Sequence, residues 1–200
     1  MPDYDDRETF HRAKAGDRAS FNALQNALEG DVRRFVHRLI GPSYVEQDIV
    51  QNAFLALYMN LRKVESPEHL RPFLFRVARN LCYDELRQKG RFQVVSLDEN
   101  PRDDAEWALF DPLPVDVSEL PDEVAHWVLL YREVQKAMNC LPELQRQALI
   151  LYVEEDLTYA QIGEVMRVDI STVKSRIHHG RKNLLKLLTP RILDELGITV

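Results

Sequence analysis

The sequence predicts an all-α fold of two small helical domains joined by an acidic, proline-containing linker, and three observations carry that prediction. Apolar residues recur at three- and four-residue spacing through most of the chain, no stretch alternates convincingly as a strand, and the helical stretches are separated by a segment of different composition. The 200 residues are 45% hydrophobic and 29% charged, which suits a soluble globular chain of one or two domains.

The first block runs from residue 7 to 91. Its apolar residues fall in helical sets: Phe21, Leu24 and Leu28; Val32, Phe35, Val36 and Leu39; Ile49, Val50, Ala53, Phe54 and Leu57. Breaks are expected at Gly30, Gly41-Pro42, Ser66-Pro67 and Gly90, which makes four helices in a bundle the economical arrangement. Residues 92–123 follow as the linker. Four prolines (Pro101, Pro112, Pro114, Pro121) and ten carboxylates between Asp98 and Glu123 leave it too little apolar surface to order itself alone. Helix resumes near Val124 and carries the second block to residue 188, through "HWVLLYREVQKAMNCL", a start at Pro142, and "ELQRQALILYVEED". A tail, residues 189–200, brings Ile192, Leu193, Leu196 and Ile198, apolar enough to pack on the second domain or to dock a partner.

Composition excludes several classes. No apolar run approaches the ~18 residues of a membrane span. The start, "MPDYDDRETF", lacks the basic flank and apolar stretch of a signal peptide, so a cytoplasmic protein without membrane insertion is expected. Cys82 and Cys140 are far apart, with no CxxC and no histidine at metal spacing, so reduced thiols and no metal or cofactor are expected. Enzyme signatures such as a phosphate-binding glycine loop, HExxH or GxSxG are absent.

The net charge of −6 is unevenly spread. Residues 7–91 carry 15 basic against 10 acidic side chains, residues 92–133 carry 2 against 11, and residues 134–188 carry 8 against 6. Two mildly basic blocks flank one strongly acidic segment, as expected of polyanion-binding modules held by a linker with another task.

The clearest chemistry lies in "TYAQIGEVMRVDISTVKSRIHHGRKNLLKLL". Thr158 and Gln161 form a T-x-x-Q capping box, with Tyr159, Ile162 and Val165 or Met166 as the inner face of a short helix. After a break at Arg167 to Asp169, a second helix aligns Ile170, Val173, Ile177, Leu184 and Leu188 on one stripe. Its opposite face carries Ser171, Thr172, Ser175, Arg176, His178, His179, Lys182, Asn183 and Lys186, with no acidic residue between Ser171 and Pro190. Paired short helices with a cationic, hydroxyl-rich outer face are what a helix-turn-helix offers the DNA major groove. Adjacent His178 and His179 point about 100° apart and make a poor chelating pair.

A second stripe lies in "RPFLFRVARNLCYDELRQKGR". Arg76, Arg79, Asn80, Tyr83 and Arg87 fall within about 60° of one line, opposite Leu74, Val77, Ala78 and Leu81. Cations for phosphates, an amide for a base edge and a ring for stacking suit single-stranded or unwinding DNA. In "VEQDIVQNAFLALYMNL", Asp48, Gln51, Asn52 and Leu55 share a face distinct from Ile49, Ala53 and Leu57, a mixed surface for a partner.

Together these segments resemble the extracytoplasmic-function sigma factors, the two-domain specificity subunits of bacterial RNA polymerase. "DIVQNAFLALYMNL" is similar to the family's region 2.2, "FLFRVARNLCYDELRQKGR" to region 2.4, and "LPELQRQALILYVEEDLTYAQIGEVMRVDISTVKSRIHHGRKNL" to region 4. The resemblance covers roughly Phe10 to Leu188. It implies that Asp48, Gln51, Asn52 and Leu55 hold the coiled coil of the polymerase's largest subunit. It implies that Arg76, Arg79, Asn80, Tyr83 and Arg87, with the loop from Arg62 to Leu70, hold the melted minus-10 element. Ser171, Thr172, Lys174, Ser175, Arg176, His179 and Lys182 would read the minus-35 duplex, while the linker threads the polymerase cleft.

The implied partners are core RNA polymerase and promoter DNA, with an anti-sigma factor as a further candidate and no cofactor. Two departures touch the base-reading helix: Ser171 stands where the family usually has Gly, and His179-Gly180 where it often has Arg-Ala. Gly180 alone weakens a helix by up to ~1 kcal/mol relative to Ala. The competing expectation is a free-standing helix-turn-helix regulator of duplex DNA, which leaves the Arg76 to Arg87 stripe and the linker without a purpose.

Overall fold

The structure, a computed structural model, describes residues 6–88, 116, 118 and 120–198. All regular elements among them are helical, as expected, and they group into two compact units. One holds the first four helices together with Glu155–Ile170; the other holds the described residues from Asp116 to Glu154 and from Ser171 onward. Most of the linker expected at 92–123 lies outside the described residues, as does the break expected at Gly90.

In the first unit, α1 (Asp6–Lys14), α2 (Arg18–Ile40), α3 (Glu46–Asn60) and α4 (Leu70–Gln88) form the bundle. The break expected at Gly30 does not occur, because α2 runs through it for 23 residues. One exposed interior glycine costs only ~1 kcal/mol. That is outweighed by burial of Phe21, Leu24, Val32, Phe35, Val36 and Leu39 along one face. The chain breaks instead at Gly16, whose φ of 102° suits glycine. Asp17 then caps α2, its Oδ1 accepting from the Ala19 N–H at 3.2 Å and its Oδ2 from the Ser20 hydroxyl at 2.6 Å. At the other end Gly41, with φ 69°, donates its N–H to the His37 carbonyl.

The bundle core is Phe10, Leu24, Phe35, Leu39, Leu57, Leu74 and Phe75, with Phe35 and Phe75 edge to face at 5.1 Å. Two short 3₁₀ turns, Leu61–Lys63 and Pro67–His69, connect α3 to α4. Ser66 is extended, as a residue before proline tends to be. Cys82 is buried in α4.

Within the same unit a helix from the chain's second half, α7 (Tyr159–Met166), packs against α4. The capping box is present in both directions: Gln161 N–H donates to Thr158 Oγ1, and Thr158 N–H donates to Gln161 Oε1 at 3.0 Å. Ile162, Val165 and Met166 are buried. The helix ends at Arg167, left-handed at φ 55°.

The second unit contains α5 (Asp122–Asn139), α6 (Glu143–Leu149), a π-helical turn at Ile150–Glu154, α8 (Ile170–Leu187) from Ser171 onward, and α9 (Pro190–Glu195). Pro142 precedes α6 and its carbonyl accepts from the Gln145 and Arg146 N–H groups. The tail packs on its own unit: Ile192 and Leu193 join Leu130, Ala137 and Leu188 in one apolar cluster, while Leu196 and Ile198 stay exposed.

Candidate nucleic-acid interface

Three exposed helix faces emerge from these elements, and each carries residues singled out by their spacing. On α3, burial of Ile49, Val50, Ala53, Phe54 and Leu57 turns Asp48, Gln51, Asn52 and Leu55 outward, all four exposed. Sequence periodicity missed two neighbours. Tyr58 and Met59 continue the Leu55 face at helical spacing and stand 51% and 73% exposed beside its 55%, an apolar ridge with an acidic and amide flank. The signal was present in the i, i+3 and i+4 step from Leu55.

On α4 the predicted stripe is real as a line but not uniform in exposure. Asn80 and Arg87 are exposed, Arg76 and Arg79 are half-buried, and Tyr83 is buried. The Tyr83 ring expected to stack on a base is instead covered by the chain's own cation. The Arg79 guanidinium lies 4.4 Å from the ring centroid, and its Nη2 donates to the Tyr83 hydroxyl at 3.2 Å. Arg76 lies 5.3 Å from the Phe73 ring, so two aromatic rings hold two cations over the same side of the helix. In the preceding loop Arg62 and Lys63 are exposed. The carboxyl of Glu68 is held below its ordinary range, first by the Ser66 hydroxyl and then by a backbone N–H and the Arg7 charge.

On α8, Ser171, Lys174, Ser175, His178, His179 and Lys182 are exposed and Thr172 is half-buried. Arg176 departs from expectation: it is 8% exposed and belongs to the buried side. Ile170, expected on the inner stripe, is 47% exposed. One rotation accounts for both. At 100° per residue the buried set Val173, Arg176, Ile177 and Gly180 centres about 70° away from the line through Ile170. Gly180 is the cause. A Cβ there would stand 3.0 Å from Leu149 Cδ1 and 3.4 Å from Gln145 Cβ, so the missing side chain lets α8 approach α6 closely. Asn183, placed on the polar face by periodicity, donates to Gln145 Oε1 at 2.9 Å and fixes the same approach. Arg181 lies 5.1 Å from the Tyr152 ring. The glycine that looks like a weakness in an isolated helix is thus a packing requirement.

Chemically, α4 and α8 each offer cations with hydroxyl, amide or imidazole groups beside them, a donor set for phosphates and base edges. Among the described residues no group of three or more His, Cys, Asp or Glu is arranged to hold a metal ion, and no helix is long and apolar enough to cross a membrane.

Comparison with known proteins gives consistent likenesses. The Sigma-70 region 2 family profile matches residues 24–92, and that of Sigma-70, region 4 matches residues 131–184. The RNA polymerase sigma-H factor of Pseudomonas aeruginosa is 30% identical over 193 residues, covering 94% of this chain and 96% of its own. The ECF RNA polymerase sigma factor SigW of Bacillus subtilis is 26% identical over 182 residues, covering 91% and 96%. Among solved structures, that of CnrH in complex with the cytosolic domain of CnrY aligns with a TM-score of 0.61 at 18% identity, covering 91% of this chain and 96% of that one.

Proposed function

The chain belongs to the Sigma-70 family, as a sigma factor of the extracytoplasmic-function type, and from that premise we propose how its three exposed faces divide the work. A sigma factor binds core RNA polymerase and directs promoter recognition and transcription initiation, and that is the function of this chain. The observation that carries it is that both family regions match in order within one chain, alongside a relative 30% identical over 96% of its length. A free-standing regulator is not favoured, since it gives the region 2 match no purpose.

The polymerase-binding surface is Asp48, Gln51, Asn52 and Leu55, extended by Tyr58 and Met59; their common exposure on α3 supports this. The minus-10 element is held by Arg76, Arg79, Asn80 and Arg87, with Tyr83 acting beneath Arg79 rather than on a base. The minus-35 duplex is read by Ser171, Thr172, Lys174, Ser175, His179 and Lys182, with Arg176 supporting the helix from its buried side. In sequence terms the polymerase and minus-10 module spans 7–91 and the minus-35 module 124–188, with 92–123 between them. The protein works in the cytoplasm and performs no catalysis of its own. Residual negative charge outside these faces weakens random DNA binding by the free chain, leaving sequence choice to the holoenzyme.

Run-off transcription with purified core polymerase on a genomic fragment library tests this function. New start sites preceded by two shared motifs about two helical turns apart are expected. No new start sites, with tight duplex binding by the protein alone, would shift the assignment to the free-standing regulator.

A further inference from the structure

The turn that ends α7 holds a residue that neither packing nor helix capping calls for. Arg167 closes the helix in the left-handed region, at φ 55° and ψ 50°, and its N–H and that of Val168 both turn back to the Gly163 carbonyl. A residue with a side chain is strained there, because its Cβ crowds the following carbonyl oxygen, and glycine or asparagine is what such a helix end ordinarily takes. No contact inside the fold offsets that strain. Arg167 is exposed, and among the described residues its guanidinium has no hydrogen bond, ion pair or ring contact. Other arginines beyond residue 120 are engaged: Arg146 pairs with Glu143, Arg181 lies against the Tyr152 ring, and Arg191 pairs with Glu195. Asp169, two residues on, is exposed as well and is not the partner of Arg167. A strained, exposed cation with no internal partner points to a role outside the chain.

We propose that Arg167 is a phosphate anchor for the minus-35 duplex, fixing how the reading helix sits in its groove without itself reading a base. The inference rests on the sigma-factor function above. In a helix-turn-helix the N-terminal residues of the second helix face base edges, so the turn just before them is at the DNA end of the pair. Arg167 stands three residues before Ile170, the first residue of α8. Three peptide steps of about 3.8 Å keep its Cα within about 11 Å of that start, whatever the shape of the turn. The major groove is about 12 Å wide, so a long cationic side chain so close to the groove's occupant falls beside one of the flanking phosphate strands. A guanidinium forks onto phosphate oxygens with two N–H donors, whereas the base edges are met by the hydroxyls and lysines of α8 itself.

Three substitutions separate the charge from the backbone. Arg167→Gln removes the charge and leaves the left-handed Cβ, Arg167→Gly removes both, and Arg167→Lys keeps the charge. Holoenzyme assembled from core polymerase and a saturating amount of the full chain is titrated onto a promoter fragment found by run-off transcription, and onto the same fragment with its minus-35 element scrambled. Fluorescence anisotropy follows binding from about 50 to about 200 mM salt. Loss of one phosphate contact lowers the slope of log K against log salt by about 0.9, so the native protein's advantage over Arg167→Gln is expected to shrink about 3.5-fold across that range, equally on both fragments. Arg167→Lys is expected to restore the slope. Arg167→Gly is expected to share the binding deficit while melting at a higher temperature than the native chain, a pairing that damage to the fold does not produce. A native slope in Arg167→Gln and Arg167→Gly would overturn the anchor, and so would a loss confined to the matched fragment, which makes Arg167 a base reader. If the native chain directs no transcripts with core polymerase, the sigma-factor function itself fails. The same slopes, measured with the chain alone on random-sequence duplex, then decide whether Arg167 meets phosphate.

Discussion

The guanidinium of Arg79 sits 4.4 Å from the centroid of the Tyr83 ring and donates a hydrogen bond to its hydroxyl, so a cation expected to meet DNA is aimed by a residue expected to meet DNA. The ring holds the arginine through its π face and the hydroxyl fixes the angle. Under the proposed function, that relationship makes Tyr83 a positioning residue for Arg79. Tyr83→Phe is expected to keep the ring contact and reduce open-complex formation slightly. Tyr83→Leu loses about 0.5–2 kcal/mol of cation–π attraction and reduces it further. Permanganate footprinting of the melted promoter, alongside core-binding titrations, separates the two effects; equal losses in both assays would point to bundle damage instead.

Gly180→Ala sets helix propensity against packing. Propensity alone predicts a gain of up to ~1 kcal/mol, but the new Cβ would press on buried Leu149 at 3.0 Å, and overpacking of this kind costs about 1–3 kcal/mol. A net loss in urea denaturation is expected. Leu149→Ala in the same chain should recover part of it, leaving a non-additive double-mutant cycle. A Gly180→Ala protein more stable than the parent would show that α6 yields.

Arg176→Ala and Lys174→Ala should differ in kind. Arg176 is buried, so its loss is expected to cost about 1–3 kcal/mol of folding stability and to weaken matched and scrambled minus-35 sites alike. Lys174 is exposed; if it contacts a base, its truncation costs about 1–3 kcal/mol at the matched site alone and leaves folding unchanged. Thermal melts paired with competition binding on both duplexes make the comparison, and a site-selective loss on Arg176→Ala would return that residue to base reading.

Acid should unfold the bundle partly through Asp17. The Ser20 hydroxyl, and then the Ala19 N–H and the Arg12 charge, hold its carboxyl below the ordinary value of 3.8. A lowered folded value means that the stabilisation is fully present above the unfolded value and disappears as pH falls through the folded one. Asp17→Asn keeps a capping oxygen but cannot titrate. It is expected to flatten the acid limb of stability against pH below about 4, near the unperturbed aspartate value, without changing its shape at neutral pH. An unaltered acid limb would assign the acid sensitivity to other carboxylates.

Part of this molecule was legible in local pattern. The capping box at Thr158 and Gln161, the outward turn of Asp48, Gln51, Asn52 and Leu55, and the helical character of every regular element among the described residues follow from spacing and short-range hydrogen bonding. Those features depend on residues within a turn or two of each other, so the sequence by itself determined them. Gly30 shows where local pattern stops: a glycine is a break signal in isolation, but a buried stripe on both sides carries the helix through it.

What only the tertiary structure decided is which side of each helix is closest to its neighbours. Periodicity gives relative angles around an axis, not the azimuth at which a second helix arrives. The approach of α8 to α6 at Gly180 rotated the buried sector of α8 so that Arg176 went inside and Ile170 outside. The cover of Arg79 over Tyr83, and the hold of Arg71 on Glu155 across 84 residues of chain, belong to the same class. Each is set by packing between surfaces, whose energies depend on contacts that no single stretch of sequence contains.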